Sequence, residues 1–426
     1  MSVDPPPPMP ARAFVALFGR IGLLSFGGPA AQIALMQSEI VERHRLMPQD
    51  AFLRALSFCM LLPGPEAMQL ATYAGWRLRG VRGGIVAGTL FVVPGAVVIA
   101  ALAALYLVYG EVALVRAALL GVQAAVIAIV VKALLTLRTR ALNGPRDIAI
   151  AVVAFAGIFA FQVPFPLIIA AAAAAGLVLG DRPEAQPVTR PAPPLSRLLG
   201  TVALWSAVWA APLVALWILD ADFLLTLGLF FSKLAIVTFG GAYAVLAYMA
   251  QAVVETFGWI DTAQMIDALG LAETTPGPLI LVTEFVAILA GHGAGGWPMA
   301  ALAGALCLWV TFVPCFLWIF AGAPYIEHLS ALPRLAAALS GVTAAVVGVI
   351  ANLALWFALH VVFTEVGRAG FGPVHLPWPE LGTLRPVAVL LVILSTRLLL
   401  WRGWPLWAVL LLAAGSGGSL GWLGAA

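Results

Sequence analysis

The chain has 426 residues, of which 63% are hydrophobic and 10% charged, and its formal net charge is +3. A soluble globular protein carries about 25% charged residues, so this composition excludes a mainly soluble protein. The small net charge gives no reason to expect nucleic-acid binding. Apolar runs of roughly 20 residues, long enough to cross a bilayer, recur from Phe14 to Leu423. We therefore predict an all-α polytopic membrane protein with about ten to thirteen membrane-embedded helices.

The N-terminus and the cysteines give no sign of processing, redox or metal chemistry. The first apolar stretch has no basic head and no small-residue cleavage pattern, so we expect no removable signal peptide. Cys59, Cys307 and Cys315 lie in apolar segments without the spacing of zinc or redox pairs, which favours packing roles. We therefore expect neither a metal nor a cofactor.

We expect the protein to be located in a bacterial inner membrane.

The chain contains an internal repeat. A shift of 213 residues places residues 18–65 on residues 231–278 without a gap, and 14 of these 48 positions are identical. The identities include a Phe-Gly-Gly sequence, at Phe26 and Phe239, and a Pro-Gly-Pro sequence, at Pro63 and Pro276. We predict two homologous halves, residues 1–180 and 199–426, joined by an exposed, proline-rich linker at 181–198.

The basic residues indicate how the two halves are oriented. Of the 22 Lys and Arg residues, 16 precede residue 198. Loops rich in these residues stay on the cytoplasmic side of a membrane. The first half carries Arg43 and Arg45 where the second half carries Thr256 and Gly258. The loss of the basic cluster in one half predicts that matching loops face opposite sides, as in an inverted-topology repeat.

One apolar stretch of the first half is predicted to enter and leave the membrane on the same side. It is flanked by two basic clusters, at 43–45 and 77–82, and is interrupted at Pro63-Gly64-Pro65. Each arm, at about 16 Å, is too short for a hydrocarbon core of about 30 Å. Non-helical backbone at that depth requires a protein or water environment, so the break should line a cavity.

The two Phe-Gly-Gly and two Pro-Gly-Pro motifs predict four helix breaks and an anion-binding site. Each new helix presents free backbone N–H groups and the positive end of its dipole. An inverted repeat would direct these ends at one midplane site. The candidate substrate-binding residues at the breaks are Gly27, Gly28, Pro63, Gly64, Pro65, Gln69, Gly240, Gly241, Thr275, Pro276, Gly277 and Pro278.

Charged residues near the breaks are further candidates. Arg20 and Lys233 each lie seven residues before a Gly-Gly pair, inside an apolar segment. Burying such a cation costs at least about 2.5 kcal/mol, which an anionic substrate would offset. Pairing with glutamates or snorkelling to the interface is the alternative. Glu66 and Glu284 are candidates for proton coupling, although Glu66 equally suits stabilisation of a helix N-terminus.

A Lys or Arg, a Phe-Gly-Gly turn and a Pro-Gly-Pro break occur twice in this chain. The pattern resembles the long, two-domain form of the chromate ion transporter family. The similar motifs are LPGPEAMQLATYAGWRLRG in the first half and TFGGAYAVLAYM with TPGPL in the second. The resemblance extends from Phe14 to about Trp401 and implies an inner-membrane secondary transporter that exports chromate and confers chromate resistance. Sulfate is the related oxyanion.

Other functional classes lack their motifs in this sequence. Neither lysine follows a glycine, so an ATP-binding GxxxxGK[ST] loop is missing. An intramembrane enzyme would use Ser25 or a glutamate, but no GxSxG or HExxH sequence supports it. We therefore predict a transporter and not an enzyme, with chromate or sulfate and membrane lipid as partners. Proton coupling and a homodimer are open options.

Overall fold

The computed structural model describes residues 9–26, 28–180, 194–239, 242–326, 332–372 and 374–422, which are mainly helical. Candidate residues Gly27, Gly240 and Gly241 lie outside these ranges, as does most of the predicted linker. The described helices, in chain order, are α1 Ala11–Leu24, α2 Gly28–Gln37, α3 Gln49–Leu61, α4 Glu66–Tyr109, α5 Ala113–Ala141, α6 Pro145–Phe159, α7 Phe165–Leu179, α8 Leu195–Ile218, α9 Asp222–Val237, α10 Ala242–Gln251, α11 Thr262–Glu273, α12 Val282–Gly322, α13 Pro333–Val362, α14 Pro386–Thr396 and α15 Leu406–Trp422.

Five of the helical segments in the described ranges are long and apolar enough to cross a membrane. Shorter apolar helices, such as α7 and α15, accompany them. The predicted all-α multi-pass membrane protein is confirmed at this level, while the total of about ten to thirteen embedded helices stays a prediction. The five long segments are Glu66–Tyr109, Ala113–Ala141, Leu195–Ile218, Leu279–Tyr325 and Pro333–Val362.

The described chain forms two compact units, and each unit takes segments from both halves of the sequence. The first unit comprises residues 1–101, 183–242 and 275–336. The second comprises residues 102–182, 243–274 and 337–426. The sequence repeat therefore does not coincide with the compact units.

Glycine lets helices approach closely within each unit. In the first unit, a Cβ added at Gly22 of α1 would lie 2.1 Å from the Leu90 carbonyl oxygen of α4. In the second, a Cβ at Gly121 of α5 would lie 1.9 Å from the Ala413 carbonyl oxygen of α15. Helices without a hydrophobic driving force between them associate through such small-residue contacts.

Helices α4 and α12 each fold back on themselves. Residues 75 and 83 would be about 12 Å apart along a straight helix, yet a Cβ at Gly75 would lie 2.4 Å from the Gly83 carbonyl oxygen. The reversal occurs at Gly80, with φ +62°, and its counterpart in α12 is Gly296, with φ +69°. Each is therefore a pair of antiparallel helices joined at a glycine.

The two reversals lie at the same distance from the start of their helices. A three-residue turn, Leu279–Leu281, separates the second Pro-Gly-Pro from α12, whereas α4 begins directly after the first. This insertion shifts the repeat from 213 to 216 residues beyond the breaks, so Gly80 corresponds to Gly296.

A β-hairpin departs from the all-helical prediction. Strands β1 (Val366–Phe371) and β2 (Val374–Pro379) pair antiparallel, with Val366 opposite Pro379 and Phe371 opposite Val374. Glycine and proline recur through this segment and disfavour a helix, because glycine is flexible and proline lacks the backbone N–H.

Candidate functional site

The described residues of the first unit contain interruptions at all four predicted breaks. At the two Phe-Gly-Gly motifs, a hydroxyl closes the end of the incoming helix. Ser25 Oγ donates to the Ile21 carbonyl at 2.5 Å, and Thr238 Oγ1 donates to the Leu234 carbonyl at 2.6 Å. These two bonds occupy equivalent repeat positions, and each satisfies a carbonyl that the ended helix leaves without an intrahelical partner.

Each Pro-Gly-Pro turn is bonded to the Phe-Gly-Gly break of the other half. The Gly64 backbone N–H donates to the Thr238 carbonyl at 2.8 Å. The Gly277 N–H donates to the Ser25 carbonyl at 2.9 Å. The repeat places Gly64 on Gly277 and Ser25 on Thr238, so the two bonds are equivalent and reciprocal. The two halves therefore exchange hydrogen bonds at the breaks.

The middle residue of each Pro-Gly-Pro turn has a backbone conformation that favours glycine. Its φ is +112° at Gly64 and +87° at Gly277. A Cβ at Gly64 would also lie 2.9 Å from both Cys315 Sγ and Gln69 Nε2. Positive φ and close side chains together account for glycine at this position.

Two buried glutamines bond the carbonyl groups of the breaks. Gln32 on α2, 1% exposed, donates from Nε2 to the Gly277 carbonyl at 2.7 Å and to the Ser25 carbonyl at 3.3 Å. Gln69 on α4 donates from Nε2 to the Pro63 carbonyl at 2.6 Å. Within the described part of the chain, no hydrogen bond reaches the buried Gln69 Oε1. Gln69 was a sequence candidate and Gln32 was not.

A small cavity lies where α2, α4 and α10 begin, beside the turn that precedes α12. Its volume is about 20 Å³, room for about one water molecule. A tetrahedral oxyanion is larger than this, so the cavity must widen to admit one. The lining residues are Pro29, Gln32, Pro65, Glu66, Ala67, Ala242, Pro278, Leu279 and Ile280.

The two candidate cations do not line this cavity. Arg20 Nη2 lies 3.6 Å from Glu39 Oε1, and its side chain is 51% exposed. Arg43 shares the same carboxylate oxygen at 3.2 Å. Lys233 has an exposed side chain on α9. The structure thus places a glutamate partner beside Arg20. Pairing with a glutamate was the alternative to anion binding in the sequence analysis.

The two candidate acids occupy different surroundings. Glu66 is the first residue of α4 and lines the cavity. Glu284 on α12 is 4% exposed, and its Oε2 has no hydrogen-bond partner among the described residues. A Cβ at Gly304 would lie 3.9 Å from the Glu284 Cγ, so this acid faces the returning part of α12. Thr275, before the second turn, is buried.

The reciprocal breaks belong to a chain whose sequence matches one family across both halves. The family described as chromate transporter matches residues 12–177 and 225–418. This chain belongs to the chromate transporter family. The predicted family is confirmed.

Curated relatives agree with this assignment. A chromate transport protein of Pseudomonas aeruginosa is 36% identical over 81% of this chain and 80% of the relative. One of Cupriavidus metallidurans is 30% identical over 84% and 85%, and a probable one of Synechococcus elongatus is 29% identical over 79% and 81%. No solved structure matches the chain. Because the relatives are transport proteins, the prediction of a transporter rather than an enzyme is confirmed.

Proposed function

We propose that this member of the chromate transporter family is a secondary transporter that exports chromate across the inner membrane and so confers chromate resistance. The names of the relatives support chromate as the substrate. The observation that carries the proposal is the cavity lined by the starts of α2, α4 and α10 and by the turn that precedes α12. Helix starts are anion-binding elements, and chromate is a dianion.

The backbone supplies the positive potential at the proposed site. A helix N-terminus acts as roughly +0.5 elementary charge. The three such ends at the cavity, those of α2, α4 and α10, together offset most of the charge of a dianion. The candidate residues at the turns, including Gly28, Pro63, Gly64, Pro276 and Gly277, hold these ends in place. The buried Gln69 side chain donates a hydrogen bond to the Pro63 carbonyl and so supports the alignment of the first Pro-Gly-Pro turn.

In the proposal, the two cations attract the anion from positions outside the cavity. Arg20 and Lys233 occupy equivalent repeat positions, on the helices that lead into the Phe-Gly-Gly breaks. Arg20 exchanges its Glu39 partner for the incoming anion, because a guanidinium pairs well with either. Lys233 supplies the equivalent charge in the second half.

A proton accompanies the anion in this proposal. The Glu66 carboxylate lines the cavity, and an ionised carboxylate would repel a dianion there. Protonation of Glu66 removes that repulsion, so anion binding and proton binding favour each other. Glu284, buried in the same unit, is a second candidate carrier.

The inverted repeat of residues 1–180 and 199–426 is part of the proposal. Equivalent reciprocal hydrogen bonds and equivalent helix reversals support two related halves. The loss of the basic clusters in the second half supports opposite orientations. Such an arrangement suits alternating access around a shared site.

Sulfate is the alternative substrate, because it has the same charge and tetrahedral shape and backbone dipoles discriminate poorly between the two. Everted membrane vesicles containing the protein should accumulate labelled chromate faster than vesicles without it, and a proton gradient should change the rate. Excess unlabelled sulfate should compete with labelled chromate, but less effectively than the same excess of unlabelled chromate. An uptake rate equal to that of empty vesicles contradicts transport, and preferential sulfate uptake contradicts chromate as the substrate.

A further inference from the structure

The second unit contains a buried carboxylate outside the anion cavity. Asp267 on α11 is 3% exposed. Tyr106 Oη donates to its Oδ2 at 3.0 Å, and Gln123 Nε2 donates to its Oδ1 at 2.8 Å. These partners come from α4 and α5. In the described residues, none of the ion pairs includes Asp267.

Because Asp267 has no positive partner among these ion pairs, its ionised form is costly. An ionised acid inside a membrane protein is expensive unless it is paired, and two neutral hydrogen bonds offset only part of that cost. Binding a proton to Asp267 removes the charge and therefore this cost. Asp147, by contrast, is equally buried but lies 2.9 Å from Arg146 Nη2. Asp147 therefore has the positive partner that Asp267 lacks among the described residues.

The partners of Asp267 accommodate both protonation states. The Gln123 amide nitrogen can only donate, so it stays on Oδ1 in either state. The Tyr106 hydroxyl both donates and accepts. When a proton binds Oδ2, the tyrosine hydroxyl rotates and accepts a hydrogen bond from the new O–H. Neither state leaves a buried polar atom of this trio without a partner.

We propose that Asp267 is a proton-binding site that couples proton movement to anion transport, an inference that rests on the proposed function. Helix α11 ends at Glu273, just before the second Pro-Gly-Pro break. A change in the packing of α11 against Tyr106 and Gln123 therefore reaches the break through the chain itself. The equivalent residue in the first half is Arg54, so only the second half carries this site.

The titratable groups around this site favour proton uptake. Tyr106 of α4 and the neutral Gln123 of α5 face Asp267 directly. Asp261 caps the start of α11 and is a nearby negative charge, whereas Glu111, which follows α4, is paired with Arg116. Glu273, at the other end of α11, accepts a hydrogen bond from Tyr243 Oη at 2.5 Å. Like charges disfavour ionisation of Asp267.

The test uses the purified full chain in liposomes, with labelled chromate as the probe. Two rates are measured: uptake driven by a proton gradient, and chromate counterflow without a gradient. Asp267→Asn should reduce the stimulation of uptake by the gradient while counterflow persists. The matched control Asp147→Asn should retain stimulation by the gradient. Full stimulation in Asp267→Asn overturns the inference, although the proposed transport function stands.

Tyr106→Phe is the second variant, and it tests the role of Asp267 if Asp267→Asn does not fold. Loss of the phenol hydroxyl removes a donor that stabilises the carboxylate. The pH of half-maximal stimulation should therefore rise relative to the unaltered protein, with counterflow retained. An unchanged pH profile overturns the inference. If the unaltered protein moves no anion in either assay, the proposed function fails and this inference fails with it.

Discussion

Gly277 has a structural role that another residue cannot fill. Its φ is +87°, and its N–H bonds the Ser25 carbonyl of the other half. A side chain there would also crowd Leu281, since an added Cβ would lie 3.1 Å from Leu281 Cδ1. Both effects act on the turn that leads into α12.

Gly277→Ala should destabilise the protein by about 1–3 kcal/mol, the usual cost of a non-glycine residue in this backbone region. It should also lower chromate transport, because the break is displaced. The measurements are the melting temperature in detergent and uptake in vesicles. Gly200→Ala is the control, since a Cβ there meets nothing within 4 Å and the residue lies inside α8. Equal melting temperatures for the two variants would contradict the role of Gly277.

The two glutamines at the breaks differ in how far the sequence reveals them. Gln69 follows a Pro-Gly-Pro motif by one helical turn, and that proximity predicted a role near the break. Gln32 bonds Gly277, which lies 245 positions away along the chain. A polar residue in an apolar helix signals a buried partner, but only the folded chain identifies which carbonyl it bonds.

At the level of helices, the reversals within α4 and α12 are matched in backbone geometry. Gly80 and Gly296 have φ values of +62° and +69°, and an added Cβ would meet nothing within 4 Å at either position. The cost of a side chain is therefore conformational rather than steric. A side chain at Gly80 and one at Gly296 should therefore lower the free energy of unfolding by similar amounts.

Gly80→Ala and Gly296→Ala should each destabilise the protein by roughly 1–2 kcal/mol, the penalty of a left-handed conformation for an L-residue. Thermal unfolding of the two variants in detergent should give similar shifts. Gly293→Ala is the control, because its surroundings are open and its φ is not positive. A loss of thermal stability in only one of the two reversal variants would argue against equivalent turns.

The sequence predicted the interruption in the stretch between Arg43 and Arg77 but not its continuation as a folded-back α4. Proline and glycine act on the adjacent backbone, so the break is visible in the sequence. The reversal at Gly80 depends on Gly75 packing against residue 83, a contact that no local signal marks. The position of the insertion, at Leu279–Leu281, became apparent only from the helix bounds.

For the whole molecule, the inverted repeat predicts opposite exposure of the two reversal turns. Arg79→Cys and Ala294→Cys place single thiols beside equivalent turns, at exposed positions. A membrane-impermeant thiol reagent should label one variant in intact cells and the other in everted vesicles. The native Cys59, Cys307 and Cys315 are buried, so background labelling should be low. Labelling of both turns from the same side would contradict the inversion.

The amino-acid sequence by itself determined that the chain is a helical membrane protein, and it predicted two related halves with interruptions at the Phe-Gly-Gly and Pro-Gly-Pro motifs. Hydrophobicity, proline and glycine act locally, so these properties need no knowledge of the fold. Only the tertiary structure decided that Gly64 bonds Thr238, that Arg20 lies beside Glu39, and that Tyr106 and Gln123 enclose Asp267. Most of these partners lie far apart in sequence, and the packing of helices, which local pattern does not specify, brings them together.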